Sequence, residues 1–222
     1  MDEFLLPLFP LELVLFPEEI LPLHIFEERY KKMIGECLAK SELDAAAGEF
    51  GVVLAQKGEA ERLGCTARIT RVIRRYDDGR LDILTRGQRR FEVLFTNSQE
   101  PYLRGAMSFF DDDGDAPNAE EKARAIRLFR GILARLEPTG VEPAVSEETG
   151  RPSFQIAAGL PLALDFKQKL LGLRSEKERL GELSDLMEKL IPALEERARV
   201  RSRASGNGHG ARPDTPPAGS SG

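Results

Sequence analysis

Residues 6–34 read LPLFPLELVLFPEEILPLHIFEERYKKMI, and the rhythm of apolar residues changes partway through. Up to Phe26 the stretch is dense in leucine but interrupted by Pro7, Pro10, Pro17 and Pro22. One helix cannot pass through it, because an interior proline removes a donor and clashes with the preceding turn. Leu11, Leu13 and Leu15 alternate with Glu12 and Val14, which is strand periodicity. Proline confines such strands to edges and ends, so two short strands joined around Pro17-Glu18-Glu19 are expected. From Phe26 the spacing lengthens to Tyr30, Met33, Ile34, Cys37 and Leu38, with charges between them. That stripe predicts an amphipathic helix of about 13 residues, ending before Asp44–Gly48.

Strand signals resume downstream. Phe50–Gln56 is a short apolar run, and residues 63–76 alternate with Cys65, Ala67 and Ile69 on one side. The parity shift near Val72 and Ile73 predicts a β-bulge. Asp77-Asp78-Gly79 is a hairpin signal, since Asp and Gly tolerate the positive φ of tight turns. Leu81, Ile83 and Thr85 alternate next, then Phe91, Val93 and Phe95 after Gly87, and Leu103, Met107 and Phe109 share a face of a last strand. Short strands with one inserted helix point to a closed or nearly closed small barrel.

After Asp111–Pro117, read as a solvated linker, the period is helical. Asn118 and Glu121 form a capping-box pair, followed by Ile126, Phe129, Leu133 and Leu136 until Pro138 and Gly140. Ser153 is expected to cap a short helix ending by Gly159-Leu160-Pro161. A further helix holds Phe166, Leu170 and Leu171. Ser175 and Glu178 open the last, whose apolar seam is Leu180, Leu183, Met187, Leu190 and Leu194, with Pro192 predicted to kink or fray it. The expected organisation is a β unit over residues 1–112, a helical unit over 118–198, and a tail over 199–222 too rich in Gly, Ser, Pro and Arg to order itself.

Hydrophobic residues make up 41% and charged residues 31% of the 222-residue chain, an ordinary balance for a protein with a packed core. The net charge of −5 argues against a general nucleic-acid binder, whose footprint is a strong basic excess. No apolar run reaches the roughly 18 residues of a membrane helix, and the N-terminus lacks a basic signal-peptide start, so a cytoplasmic location is expected. Cys37 and Cys65 stand apart and read as small buried apolar residues. Two cysteines and two histidines are a poor donor set for zinc, so no metal and no cofactor are expected. The phosphate-cradling G-x-x-x-x-G-K-[ST] pattern and the G-x-S-x-G nucleophile turn are both absent, which argues against ATP hydrolysis and serine catalysis. Arg74, Arg75, Arg86, Arg89 and Arg90 crowd the hairpin region and read as outward strand positions.

Residues 6–34 resemble the opening strands and first helix of the Lon protease N-terminal domain family, through the proline-punctuated leucines and LHIFEERY. QIAAGLPLALDFKQKLLGLRSEKERLGEL, residues 155–183, resembles that family's closing helices. DDGRLDILTRGQRRFEVL is similar to its central hairpin and the strand after it. The resemblance covers about residues 5–197 and implies an α+β fold: a PUA-like β pseudobarrel with one inserted helix, followed by a C-terminal helical bundle. In full-length Lon proteases this region helps recognise unfolded or tagged substrates, and ATPase and Ser-Lys protease domains follow it. Here the Gly/Ser/Pro/Arg tail follows instead. The expectation is therefore a stand-alone, non-catalytic module that binds unfolded or apolar polypeptide, an adaptor in protein quality control. RNA binding by the PUA-like barrel is the alternative. His24, Tyr76, Arg90 and Tyr102, at the barrel's aromatic and basic positions, are the expected peptide-binding residues.

Overall fold

The change of period at Phe26 is a strand-to-helix junction in the computed structural model, which describes residues 5–44, 46–56, 58–136, 145 and 150–206. The elements are β1 (Leu6–Leu11), β2 (Ile20–Ile25), α1 (Glu28–Ser41), β3 (Phe50–Gln56), β4 (Glu59–Arg75), β5 (Leu81–Asn97), β6 (Arg104–Phe109), α2 (Ala119–Leu133), α3 (Pro152–Gly159), α4 (Leu164–Gly172) and α5 (Glu176–Gly206). β1 and β2 flank Pro17-Glu18-Glu19 as expected, but they do not pair with each other. Between them residues 12–19 leave the sheet, although Val14, Leu15 and Phe16 are buried. The turn has Pro17 followed by Glu18 at φ 68°, the pattern of a type II turn. It is closed by Glu19 N–H on the Phe16 carbonyl at 3.2 Å and by Phe16 N–H on the Glu19 carboxylate at 2.9 Å.

The strand pairings close into a ring. β1 runs parallel to β3 and antiparallel to β6; β3, β4 and β5 are successive antiparallel neighbours; the second half of β5 pairs with β6. β2 lies outside the ring, on the first half of β5. Leu8, Val53, Phe91 and Val93 cluster on one face, with Leu103 and Met107 against them. A Cβ on Gly51 would lie 2.7 Å from the Phe91 ring and 2.8 Å from the Met107 methyl. Those contacts join strands that are not ring neighbours, so this face is the interior, filled as small barrels are by side chains. Phe91 owes its room to Gly51 and Gly64, whose Cβ would sit 2.7 and 2.6 Å from it.

The other face of the strands is covered by helices. Phe9 meets Tyr30 of α1 at 4.2 Å and Phe50 at 6.2 Å between ring centroids. Tyr30, Met33, Ile34 and Cys37 are the buried stripe of α1. α2, α3 and α5 pack on one another, and α4 lies against β4, where Gln168 donates to the Leu63 carbonyl at 3.0 Å. Phe16 stacks on Phe154 of α3 at 5.7 Å, and one hydrophobic cluster runs unbroken from the strands into all four C-terminal helices.

Several local expectations hold. The hairpin turns at Asp77–Gly79, with Gly79 at φ 82° and Tyr76 N–H on the Arg80 carbonyl at 3.0 Å. The Asn118–Glu121 capping box is complete, and Ser175 accepts from Glu178 N–H at 3.2 Å. The register of β4 on β5 shifts between Val72 and Arg74, as the parity change predicted, and also at Cys65/Ala67 and Ile69/Arg71.

Others are corrected. A further bulge between Val93 and Phe95 breaks the predicted alternation, so Phe95 is 60% exposed instead of sharing the inner face with Phe91 and Val93. Ser153 does not cap α3; it lies inside the first turn and donates to Glu176 at 2.6 Å. α5 continues through Pro192 to Gly206, past residue 199 where the tail was expected to begin, in a stretch dominated by the good helix formers Ala, Glu and Arg. Pro138, Gly140 and residues 207–222 lie outside the described residues.

Candidate functional site

Of the four expected binding residues, the fold brings two together. His24 on β2 stands opposite Asp82 on β5, and Asp82 stands opposite Arg74 on β4, a single cross-section of three strands. Asp82 accepts from His24 Nδ1 at 2.6 Å and from the Tyr76 hydroxyl at 2.8 Å. The hydrogen bond from His24, then that from Tyr76, holds the Asp82 carboxyl below its usual range. The same bond to Asp82 pushes the Tyr76 phenol up. One carboxylate thus fixes an imidazole and a phenol by their polar edges.

The two rings belong to a larger patch. The His24 ring is 5.9 Å from Tyr76, edge to face, and 5.9 Å from Phe26, stacked. Phe26 is 60% exposed. It precedes the first turn of α1 and so falls off the buried stripe that the helical spacing assigned to it. The guanidinium groups of Arg74 and Arg80 lie over Tyr76 at 4.5 and 4.8 Å, at the range where a cation is drawn to the ring face. β2 pairs with β5 alone, so its far edge carries no strand among the described residues. Pro22 removes one donor from that edge, a usual guard against unlimited strand addition.

Tyr102 and Arg90 lie elsewhere, and both are interior. Tyr102 is 3% exposed and donates to Glu36 at 2.5 Å; burial, then that bond, raises its phenol. Arg90 is 1% exposed. It donates to the carbonyls of Leu171 and Leu173 at 3.0 and 2.6 Å and to Asp112 at 2.6 Å. Arg179 of α5 grips both oxygens of the same Asp112 at 2.8 and 2.6 Å, and reaches Glu176 at 2.7 Å and Ser153 at 2.9 Å. The Phe154 ring lies 4.2 Å from the Arg179 guanidinium and 5.3 Å from that of Arg90.

Two readings change here. Arg90 is not an outward strand position, because β5 is covered on both faces at this point. Asp112 is not part of a solvated linker, because its carboxylate forms ion pairs with two buried guanidiniums. Burial alone would raise the Asp112 carboxyl, but the hydrogen bonds and charges of Arg179 and Arg90 outweigh it and hold the group below its usual range. The cluster is a structural pin between sheet and helices, with both guanidiniums at most 1% exposed.

No sequence reasoning had singled out Phe26 and Asp82 for this surface. For Asp82 a signal existed: Leu81, Ile83 and Thr85 alternate inward, which turns Asp82 outward beside the hairpin. The assembled patch offers flat apolar faces and guanidinium planes. Such a surface is suited to van der Waals and charge-assisted contacts, and among the described residues no group of three metal-binding side chains adjoins it.

Residues 5–189 match a family model described as the ATP-dependent protease La (LON) substrate-binding domain. The chain is 27% identical over 204 residues to Lon protease 2 of Herpetosiphon aurantiacus, covering 86% of this chain and 24% of that protein. It is 26% identical over 215 residues to the Lon protease of Azorhizobium caulinodans, covering 89% and 24%. It thus spans about a quarter of the length of these relatives. A Lon N-terminal domain protein from Xanthomonas campestris superposes with a TM-score of 0.63 at 28% identity, over 81% of this chain and 96% of that one. The N-terminal domain of a Mycobacterium avium complex Lon protease gives 0.61 at 17% identity, over 83% and 98%, a likeness of fold alone.

Proposed function

The chain belongs to the Lon (ATP-dependent protease La) substrate-binding domain family, and from that premise we propose that it is a non-catalytic module that binds unfolded or apolar polypeptide, acting as an adaptor in cytoplasmic protein quality control. Its strand ring corresponds in this reading to a PUA-like pseudobarrel, and α2 to α5 to a C-terminal helical bundle. The docking surface is the patch of Phe26, His24 and Tyr76 beside the open edge of β2. The observation that carries the proposal is Phe26: a phenyl ring 60% exposed, stacked on a histidine whose orientation is set by Asp82. Large apolar groups presented on a rigid, hydrogen-bonded frame are what an extended chain uses as anchors.

Fluorescence anisotropy with a labelled denatured protein, at low and moderate salt, tests this reading. Salt-tolerant binding in the micromolar range is expected, since an extended chain loses much conformational freedom on docking to a small site. Binding to a labelled RNA oligomer alone, falling steeply with salt, would replace it with the RNA reading, which draws on the same arginine–tyrosine contacts.

A further inference from the structure

The charge around the patch runs against the charge of the chain. The protein carries a net −5, yet Arg71, Arg74, Arg75 and Arg80 lie along the β4–β5 hairpin, with Arg74 and Arg80 over Tyr76. Arg80 is matched by Asp78 at 2.7 Å, and the oxygens of Asp82 are taken by His24 and Tyr76. Arg71, Arg74 and Arg75 are exposed and form no salt bridge among the described residues. Ile73, 51% exposed, stands between them. Apolar anchors are therefore bordered by guanidinium groups that form no salt bridge among the described residues, although the charge of Asp82 acts on Arg74 from the neighbouring strand.

We infer that this face selects extended polypeptide segments in which an aromatic or large aliphatic residue is flanked by acidic side chains. The anchor packs on Phe26 beside Tyr76, and the flanking carboxylates meet the guanidinium groups of Arg71 and Arg74, which the strand register turns to the same face as Asp82. Arginine is well matched to such contacts, because its planar fork pairs two oxygens at once while its face remains on the tyrosine ring. The inference rests on the polypeptide-binding reading above and adds the chemistry of the partner.

Three short synthetic peptides test it, with one apolar centre flanked by Glu, by Ser or by Lys. Against the intact chain the Glu-flanked peptide is expected to bind about five- to tenfold more tightly than the Lys-flanked one at low salt, the scale of one or two exposed ion pairs. Salt should narrow the gap. Arg71→Gln/Arg74→Gln should shrink the preference, and Arg71→Glu/Arg74→Glu should reverse it, with unchanged thermal unfolding showing that each variant is folded. Equal affinity for the three peptides, or a preference for Lys, overturns the inference while leaving polypeptide binding standing. Binding of none overturns both. Binding of single-stranded RNA without any peptide assigns the arginines to phosphates, and overturns both as well.

Discussion

Arg179 holds Asp112 in a two-pronged grip, one nitrogen on each carboxylate oxygen at 2.8 and 2.6 Å, and Arg90 of β5 shares the first of those oxygens. Two guanidiniums at most 1% exposed are thus balanced by Asp112 and Glu176, and the pin ties β5 to the start of α5. Removing one member of a buried ionic set leaves the rest uncompensated. Arg179→Met, close in length and apolar, is expected to cost about 3–5 kcal/mol, measured as a lower urea midpoint.

The pH dependence of the pin follows from Asp112, whose folded carboxyl is held below its ordinary value. A depressed pKa stabilises the folded state above the unfolded value, about 3.9 for Asp, and that contribution is lost as pH falls through the lower folded value. Asp112→Asn should therefore be clearly less stable than the parent chain at neutral pH. The gap should close below about pH 4. Urea titrations of both proteins between neutral and acidic pH check this, and a gap that persists unchanged into acid would place the contribution elsewhere.

How these residues read in the sequence explains what was legible and what was not. Periodicity located β3 at Phe50–Gln56 and the α1 stripe from Tyr30 to Cys37, because burial on one face or in a short run leaves a pattern in residue type. Arg90 left none: an arginine on a strand looks the same whether it faces water or a carboxylate 22 positions later. The bulge that turns Phe95 outward was equally silent, since an aromatic residue in phase with Phe91 and Val93 satisfies the alternation it breaks. His24 and Tyr76 were legible as individual residues. Their meeting through Asp82 depends on strand register between β2, β4 and β5, which no local signal sets.

Gly87 supplies a test of the packing between the Pro17–Glu18 turn and β5. A Cβ there would lie 2.0 Å from the Phe16 carbonyl oxygen. The same glycine donates to the Glu19 carbonyl and accepts from Glu18 N–H, each at 2.9 Å. The obstructing atom is backbone, so no side chain can swing aside. Gly87→Ala is expected to destabilise the chain by about 2 kcal/mol or more, the upper range of overpacking, whereas Ala at the open position Gly181 of α5 should be neutral or slightly stabilising.

The cysteines should behave as core residues. Burial pushes the Cys37 thiol up to about 12 and raises Cys65 further, and the thiolate is the reactive form. A thiol reagent at neutral pH should modify neither in the folded chain and both after denaturation. Fast modification of either thiol in the folded chain would mean that its cover opens locally.

Binding and stability should separate cleanly across Phe26 and three of the residues the sequence nominated, Tyr76, Arg90 and Tyr102. Phe26 is 60% exposed, so Phe26→Ala removes little buried area and should leave thermal unfolding within error. If the patch is the docking surface, the same change should weaken polypeptide binding by about 1–2 kcal/mol, the loss of one aromatic anchor. Tyr76→Ala should do likewise, through its ring face and through release of Arg74 and Arg80. Arg90 and Tyr102 predict the opposite pattern. Each is at most 3% exposed and hydrogen-bonded internally, so Arg90→Met and Tyr102→Phe should lower stability while binding by the folded fraction is retained. Paired measurements on the four variants, thermal unfolding beside anisotropy with a labelled denatured protein, decide the matter. Unchanged affinity in both Phe26→Ala and Tyr76→Ala would move the docking surface away from the hairpin, with the exposed Leu94 and Phe95 at the far end of β5 the next face to test.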